Sequence, residues 1–278
     1  MPSHTITINP VETKVVRGVT LRKDPAREDC FKVAQSHTEM HDYADMSPMA
    51  MRERLHRHMH NEMQNSEISA QSLVDFPDAP WELRMQLARQ CWDETRHTLL
   101  CYRRLQEIGG RKGEFPVMNY EWGVVCMVNS LPGRLALQNR TFEAGEMDLF
   151  RELIGKWRSV GDEATAHALD GMLADEVQHV RFGNQWLKRL AREDPRTLMD
   201  VAKAVDFLAR VTKALAPRPG DVNALGVDLT SFVYVDAFAN IEDRRSAEFT
   251  EEEVAEILRQ EGFGSIIPPK PAQQASNA

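Results

Sequence analysis

Asp93-Glu94-Thr95-Arg96-His97 and, 82 residues further on, Asp175-Glu176-Val177-Gln178-His179 are two copies of one pattern, and reading them decides the fold. Residues three apart on an α-helix project from the same face, so Glu94 with His97, and Glu176 with His179, each set a carboxylate beside an imidazole. Glu-x-x-His alone is a weak signal, and Glu53-x-x-His56 matches it without the preceding Asp. The longer pattern, present twice, is not what a shuffled chain of this composition yields. Both copies lie in apolar stripes, the first flanked by Cys91 and Cys101 and the second by Leu173 and Val180. A carboxylate buried there needs a compensating charge or takes up a proton.

Around this repeat the apolar residues recur at helical spacing. A first helix runs from Ser47-Pro48, an N-cap followed by proline at the first helical position, to Val74, and the loop FPDAP at 76–80 ends it. The second runs from Trp81 to Ile108, where Gly109-Gly110 supplies the stop. The stretch 119–160 is interrupted at Pro132-Gly133, which predicts a crossing segment and a third core helix from about Arg134. Asp162 caps a fourth helix that continues to about Arg192. Short first and last connections with a long middle one predict an all-α, ferritin-like four-helix bundle with a long B–C crossover. Residues 1–46 read as an N-terminal arm with the β-prone run TKVVRGVTL, 47–193 as the bundle, 194–266 as accessory C-terminal helices and 267–278 as a disordered tail. Within the accessory part, 197–216 is amphipathic, and Thr250 opens a last helix with a capping box closed by Glu253.

Two divalent ions balance four carboxylates, so each remaining core helix should supply one more glutamate. Glu62 precedes Glu94 by 32 residues and Glu143 precedes Glu176 by 33, a matching offset that predicts a pseudo-twofold arrangement. Glu67 and Glu146 compete for the same places. Glu67 breaks the offset, and Glu146, one turn from Glu143, suits a supporting or substrate-facing role. His56, His58 and His60 alternate and read as a solvated helix face, with His60 best placed to turn toward the site. Trp92, Tyr102 and Cys91 read as packing residues.

The first motif copy resembles the Asp-Glu-x-Arg-His motif of the ferritin-like di-iron carboxylate proteins, and the second departs from it with Gln178 in place of arginine. His60-x-Glu62 to Glu67, FPDAPWE, Phe142-Glu143-Ala144 and DEVQHVRFGNQW look like an uncharacterised bacterial branch of that superfamily, related to its oxygenases, over roughly residues 47–192. The resemblance implies Glu62, Glu94, His97, Glu143, Glu176 and His179 as metal ligands, with Asp93 and Asp175 accepting hydrogen bonds from the ligand imidazoles.

The expected activity is therefore that of an O₂-dependent oxidoreductase holding two iron ions, with manganese as the other candidate, that hydroxylates, N-oxygenates or desaturates a small organic substrate. The alternative is an iron-handling ferroxidase or storage protein without organic substrate; the long arm and accessory helices favour the enzyme, because they can wall in a pocket. Cys30, Cys91, Cys101 and Cys126 form no C-x-x-C pair, so electrons should come from an external donor. A net charge of −8 disfavours a nucleic-acid partner, no apolar run is long enough to span a bilayer, and a homodimer is compatible with the composition. The start lacks the features of a secretory signal, which predicts a cytoplasmic protein.

Overall fold

A computed structural model describes residues 11–43, 45–230 and 239–259. The first ten residues of the arm, residues 260–266 of the accessory part and the tail expected from 267 lie outside the described residues. Two strands, β1 (Thr13–Val16) and β2 (Val19–Arg22), pair antiparallel with Val16 opposite Val19. That register leaves a two-residue turn, Arg17-Gly18, and both residues take positive φ (46° and 84°), as a primed hairpin turn demands.

Most of the other described residues are helical. The first long helix, α1 (Pro48–Asp75), starts on Ser47, whose Oγ accepts from the Ala50 amide at 3.3 Å. The second, α2 (Trp81–Glu107), returns along it after the FPDAP loop. Arg84 closes that turn by donating to the Leu73 and Phe76 carbonyls at 2.9 and 3.0 Å, two of the acceptors a helix C-terminus leaves unpaired. At the other end Gly109 adopts φ 80° and the Gly110 amide donates to Leu105 O at 2.8 Å.

The crossover carries a short helix, α3 (Tyr120–Val125), under the hairpin, where the Trp122 indole donates to Lys23 O at 2.9 Å. Next comes α4 (Leu131–Leu137), which begins three residues before the expected Arg134, because Pro132 sits in its first turn and opens the helix instead of breaking it. A π-helical segment, Gln138–Glu143, then joins α4 to α5 (Ala144–Ser159) without interruption. The last core helix, α6 (Glu163–Glu193), is capped by Asp162, whose Oδ1 accepts from the Thr165 amide at 2.9 Å.

Outside these, α7 (Thr197–Leu215) packs on α4 and α6, and α9 (Glu251–Arg259) opens with the expected reciprocal bonds between Thr250 and Glu253. Between them lies a helix the periodicity does not announce, α8 (Ile241–Ser246), held by the buried Arg244, which donates to Asp148 and to Ala144 O on α5. Among the described residues no helix is long and apolar enough to cross a membrane.

Apolar residues of α2 and α6 divide into two layers along the helices. Leu83, Leu87, Phe182 and Trp186 belong to one, and Cys101, Leu105, Leu169 and Leu173 to the other. The repeated motifs fall between them. Two expectations need correction here. His56 and His60 are not on a solvated face, being 0% and 1% exposed, because the arm and the crossover cover that side of α1. Trp92 is not a packing residue within this chain, since it points away from the bundle and is 60% exposed.

His56 lies between Phe31 and Phe115 and accepts from the Gly113 amide at 2.9 Å. Burial pushes its pKa down to about 4, against a small opposing pull from Glu114. Below an unfolded value of about 6.5 the unfolded chain binds a proton that the folded one refuses, so this site withdraws stability as pH falls from 6.5 toward 4. Urea denaturation across that window should show His56→Gln, which keeps an acceptor but cannot titrate, losing less stability than the wild type, by up to about one proton's worth of slope.

Candidate metal centre

Six side chains from four helical segments converge between the two apolar layers. Glu62 comes from α1, Glu94 and His97 from α2, Glu143 from the end of the π segment, and Glu176 and His179 from α6; none is more than 2% exposed. They form two overlapping groups, Glu62, Glu94, His97 and Glu176, and Glu94, Glu143, Glu176 and His179, with the potential ligand atoms of each group within 4.8 Å of one another. Glu94 and Glu176 belong to both. The arrangement has the near-twofold symmetry that the matching offsets predict.

The imidazoles turn Nδ1 inward. His97 Nδ1 is 3.2 Å from Glu94 and Glu176 oxygens and 3.4 Å from Glu62, while His179 Nδ1 is 3.3 Å from Glu94 and 3.2 Å from Glu176. Burial alone would lower both histidines. The surrounding carboxylates outweigh it and hold each well above the usual histidine range. For Glu62, burial works upward but the bonds to His58 and His97 win and hold it at about 2. Glu143 is pushed well above the usual range, chiefly by burial and then by Glu176 and Glu94, with His179 pulling the other way.

Glu62 Oε2, Glu94 Oε1 and Glu176 Oε1 are buried and accept no well-aligned hydrogen bond, and their nearest cationic neighbours are the two imidazoles, with Nδ1 at 3.2–3.4 Å. Four buried carboxylates crowded around two imidazoles are costly, and further cations between them lower the cost. Four carboxylates and two imidazoles form a donor set that can hold metal ions, with charge matching two divalent ones.

Outside this cluster the two motif copies support each other crosswise. His97 Nε2 on α2 is 3.2 Å from Asp175 Oδ2 on α6, and His179 Nε2 on α6 is 3.5 Å from Asp93 Oδ2 on α2. A single guanidinium, Arg96, donates to both aspartates at 2.6 and 2.8 Å, and Arg89 adds a bond to Asp93 at 2.7 Å. The absence of arginine from the second copy is thereby explained. Arg96 already occupies the place between the helices, and Gln178 faces solvent, where it accepts from Arg181.

The other expected supports sit farther out. Glu67 is paired with Arg27 at 2.7 Å, and His60 is engaged by the same arginine at 3.3 Å and by Gln64 at 3.4 Å, so neither meets the cluster. The neighbour that does is His58, whose Nε2 lies 2.7 Å from Glu62 Oε1. Glu146 is held by Asn65 and is raised well above its usual pKa, by burial first and then by the nearby Glu121 and Glu62.

Three further groups escape the sequence reading. Gln90 and Asn139 clamp Glu143, Gln90 through Oε1 and Asn139 through Oε2 at 3.0 Å, and Asn139 also donates to Gln90 at 3.1 Å. Glu121 on α3 leaves Oε2 buried and unpaired, and burial with the potential of Glu62, Glu94 and Glu176 raises it to about 8. For Gln90 a signal existed, one turn before Glu94 on the same face. Asn139 and Glu121 carried none, because their placement depends on the π segment and the crossover.

Asn139 is seated against Gly183 of α6, where an added Cβ would lie 2.5 Å from Asn139 Cβ. Gly183→Ala should therefore cost about 1–3 kcal/mol in chemical denaturation through overpacking. Gly171→Ala on the same helix, with nothing within 4 Å, should gain roughly 0.5–1 kcal/mol from helix propensity.

No solved structure matches the chain. An uncharacterised protein from Haemophilus influenzae is 29% identical over 102 residues, covering 36% of this chain and 35% of its own length, so the chain matches about a third of that relative. The family described as "Protein of unknown function (DUF455)" matches residues 4–255. That match takes in the arm, all four segments that build the site and α7 and α8, and the chain belongs to this family.

Proposed function

We propose that the chain is a ferritin-like, non-haem di-iron protein that uses O₂ to oxidise a small organic substrate. The observation that carries this reading is the pair of buried carboxylate–histidine groups sharing Glu94 and Glu176, with four carboxylates crowded on two imidazoles. Iron bound there would supply the electrons that reduce O₂, replenished by an external donor. Iron suits this oxygen and nitrogen donor set, and manganese is the other metal it would accept.

The chain's own residues divide the work. Glu62 with His97 would hold one ion and Glu143 with His179 the other, while Glu94 and Glu176, which belong to both groups, would serve either. Asp175 accepts from His97 Nε2 and Asp93 lies 3.5 Å from His179 Nε2, an arrangement that orients each imidazole with Nδ1 facing inward. Arg96 donates to both aspartates, and the Asp93 carboxyl sits below its usual range because His179, Arg96 and Arg89 outweigh its burial.

The two ends differ. Glu143 is clamped by two neutral amides, whereas Glu62 is held by His58, which with Asn61, Glu146, Leu149 and Phe150 lines a small cleft. The cleft has a volume of about 20 Å³, room for a single water-sized molecule. O₂ or an ion fits it; an organic substrate needs it to open. That observation favours the second reading, a ferroxidase without organic substrate, and the experiment must separate the two.

Elemental analysis after anaerobic Fe(II) loading should find about two ions per chain, and Glu94→Ala and His179→Ala should each lose at least one while helical content persists. Unchanged stoichiometry in both variants removes the ligand assignment. With excess Fe(II) and O₂, the oxidase should stop at about two protein-bound Fe(III) per chain. A soluble particle that keeps accumulating iron establishes the storage reading instead. An O₂-dependent mass change in a screened substrate pool, absent in Glu94→Ala, identifies the enzyme.

A further inference from the structure

The outward face of α2 is apolar where a solvated helix would be polar. Trp81, Met85, Ala88, Trp92 and Leu99 all lie within about 60° of one another around the helix, opposite the face that buries Glu94 and His97. Trp81 is 68% exposed, Met85 45%, Trp92 60% and Leu99 49%. This stripe is roughly 27 Å long at 1.5 Å per residue. It offers on the order of 500 Å² of apolar surface, toward the upper end of the largest patch a typical monomer exposes and more than half of the ~800 Å² per partner of a stable interface.

We infer that a second copy of this chain covers the stripe, with α2 packed antiparallel on α2 of the partner about a twofold axis at residue 90. The sequence is self-complementary about that point. Trp92 and Ala88 are equally spaced from it, as are Trp81 and Leu99, so each large residue meets a smaller one across the axis. Trp92 packs over Ala88 of the partner subunit, whose small side chain lets the helices approach. Near the ends, the exposed Arg103 falls within one residue of the exposed Asp78 of the partner subunit, in the loop before α2, a complementary rim pair.

Such a dimer bears on the site without depending on any metal. Arg96, 43% exposed, and Asp175, 25% exposed, lie along the edge of the same stripe. A seated partner removes water from the guanidinium that serves both aspartates, which strengthens those ion pairs.

Sedimentation of the full chain over a concentration series tests this. The wild type should be a dimer, and Trp92→Glu and Leu99→Glu should each weaken it by about 100-fold or more, with circular dichroism unchanged. Leu198→Glu, at an exposed apolar position of α7, should leave it intact. Ala88→Lys should also be monomeric, and mixing it with Trp92→Glu should restore a heterodimer, because the new charges face each other only in this register. A monomeric wild type overturns the inference, as does a dimer that survives both glutamate substitutions. So does dimerisation that appears only when residues 260–278 are removed, which would make the tail the occupant.

Discussion

Four carboxylates held within a few ångströms of one another, away from water, repel each other strongly enough to unfold an ordinary helical bundle. Everything near the centre answers to that constraint. Two imidazoles turn Nδ1 toward the carboxylates, and Glu143 is pushed toward its neutral form by burial. His58 reaches back to Glu62, and Gln90 and Asn139 donate to Glu143. The apolar layers to either side supply the stability that this polar layer withdraws. Four carboxylates still share only two imidazoles and lack well-aligned donors on three of their oxygens, which is why the arrangement is better suited to holding ions than to bracing the fold.

Much of this was legible in the sequence, for identifiable reasons. Helix starts and stops are local: Ser47-Pro48, Asp162 and the Thr250–Glu253 box depend on hydrogen bonds within a single turn, and each appears where expected. The six clustered residues were legible because the spacing of the repeat and the matching offsets of Glu62 and Glu143 are features of the chain itself. What the sequence hid is set by packing between elements. Which histidine of the alternating set meets the cluster depends on how α1 is rotated in the bundle, and that rotation selects His58 over His60.

The π segment illustrates the same limit. Nothing local in Gln138–Glu143 announces a wider turn, yet the segment lies against Gly183, where no larger residue would let α6 come as close. Its effect is to bring Asn139 and Glu143 to the cluster together, so one irregularity positions both a candidate ligand and its clamp. Trp92 shows the converse. Its composition suggests a core residue, but its phase on α2 sends it outward, opposite Glu94.

The crosswise support of the imidazoles also sets an order of events. Each half of the repeat has its own glutamate and histidine, but its histidine leans on an aspartate from the other half, and both aspartates share Arg96. Neither hairpin of the bundle is therefore a self-sufficient chelator. During synthesis the first hairpin emerges long before the second, and it cannot trap an ion in the final geometry while it waits. Any ion capture by the full set of six residues would wait until the halves dock, so a half-built site would not lock in an ion in the final geometry.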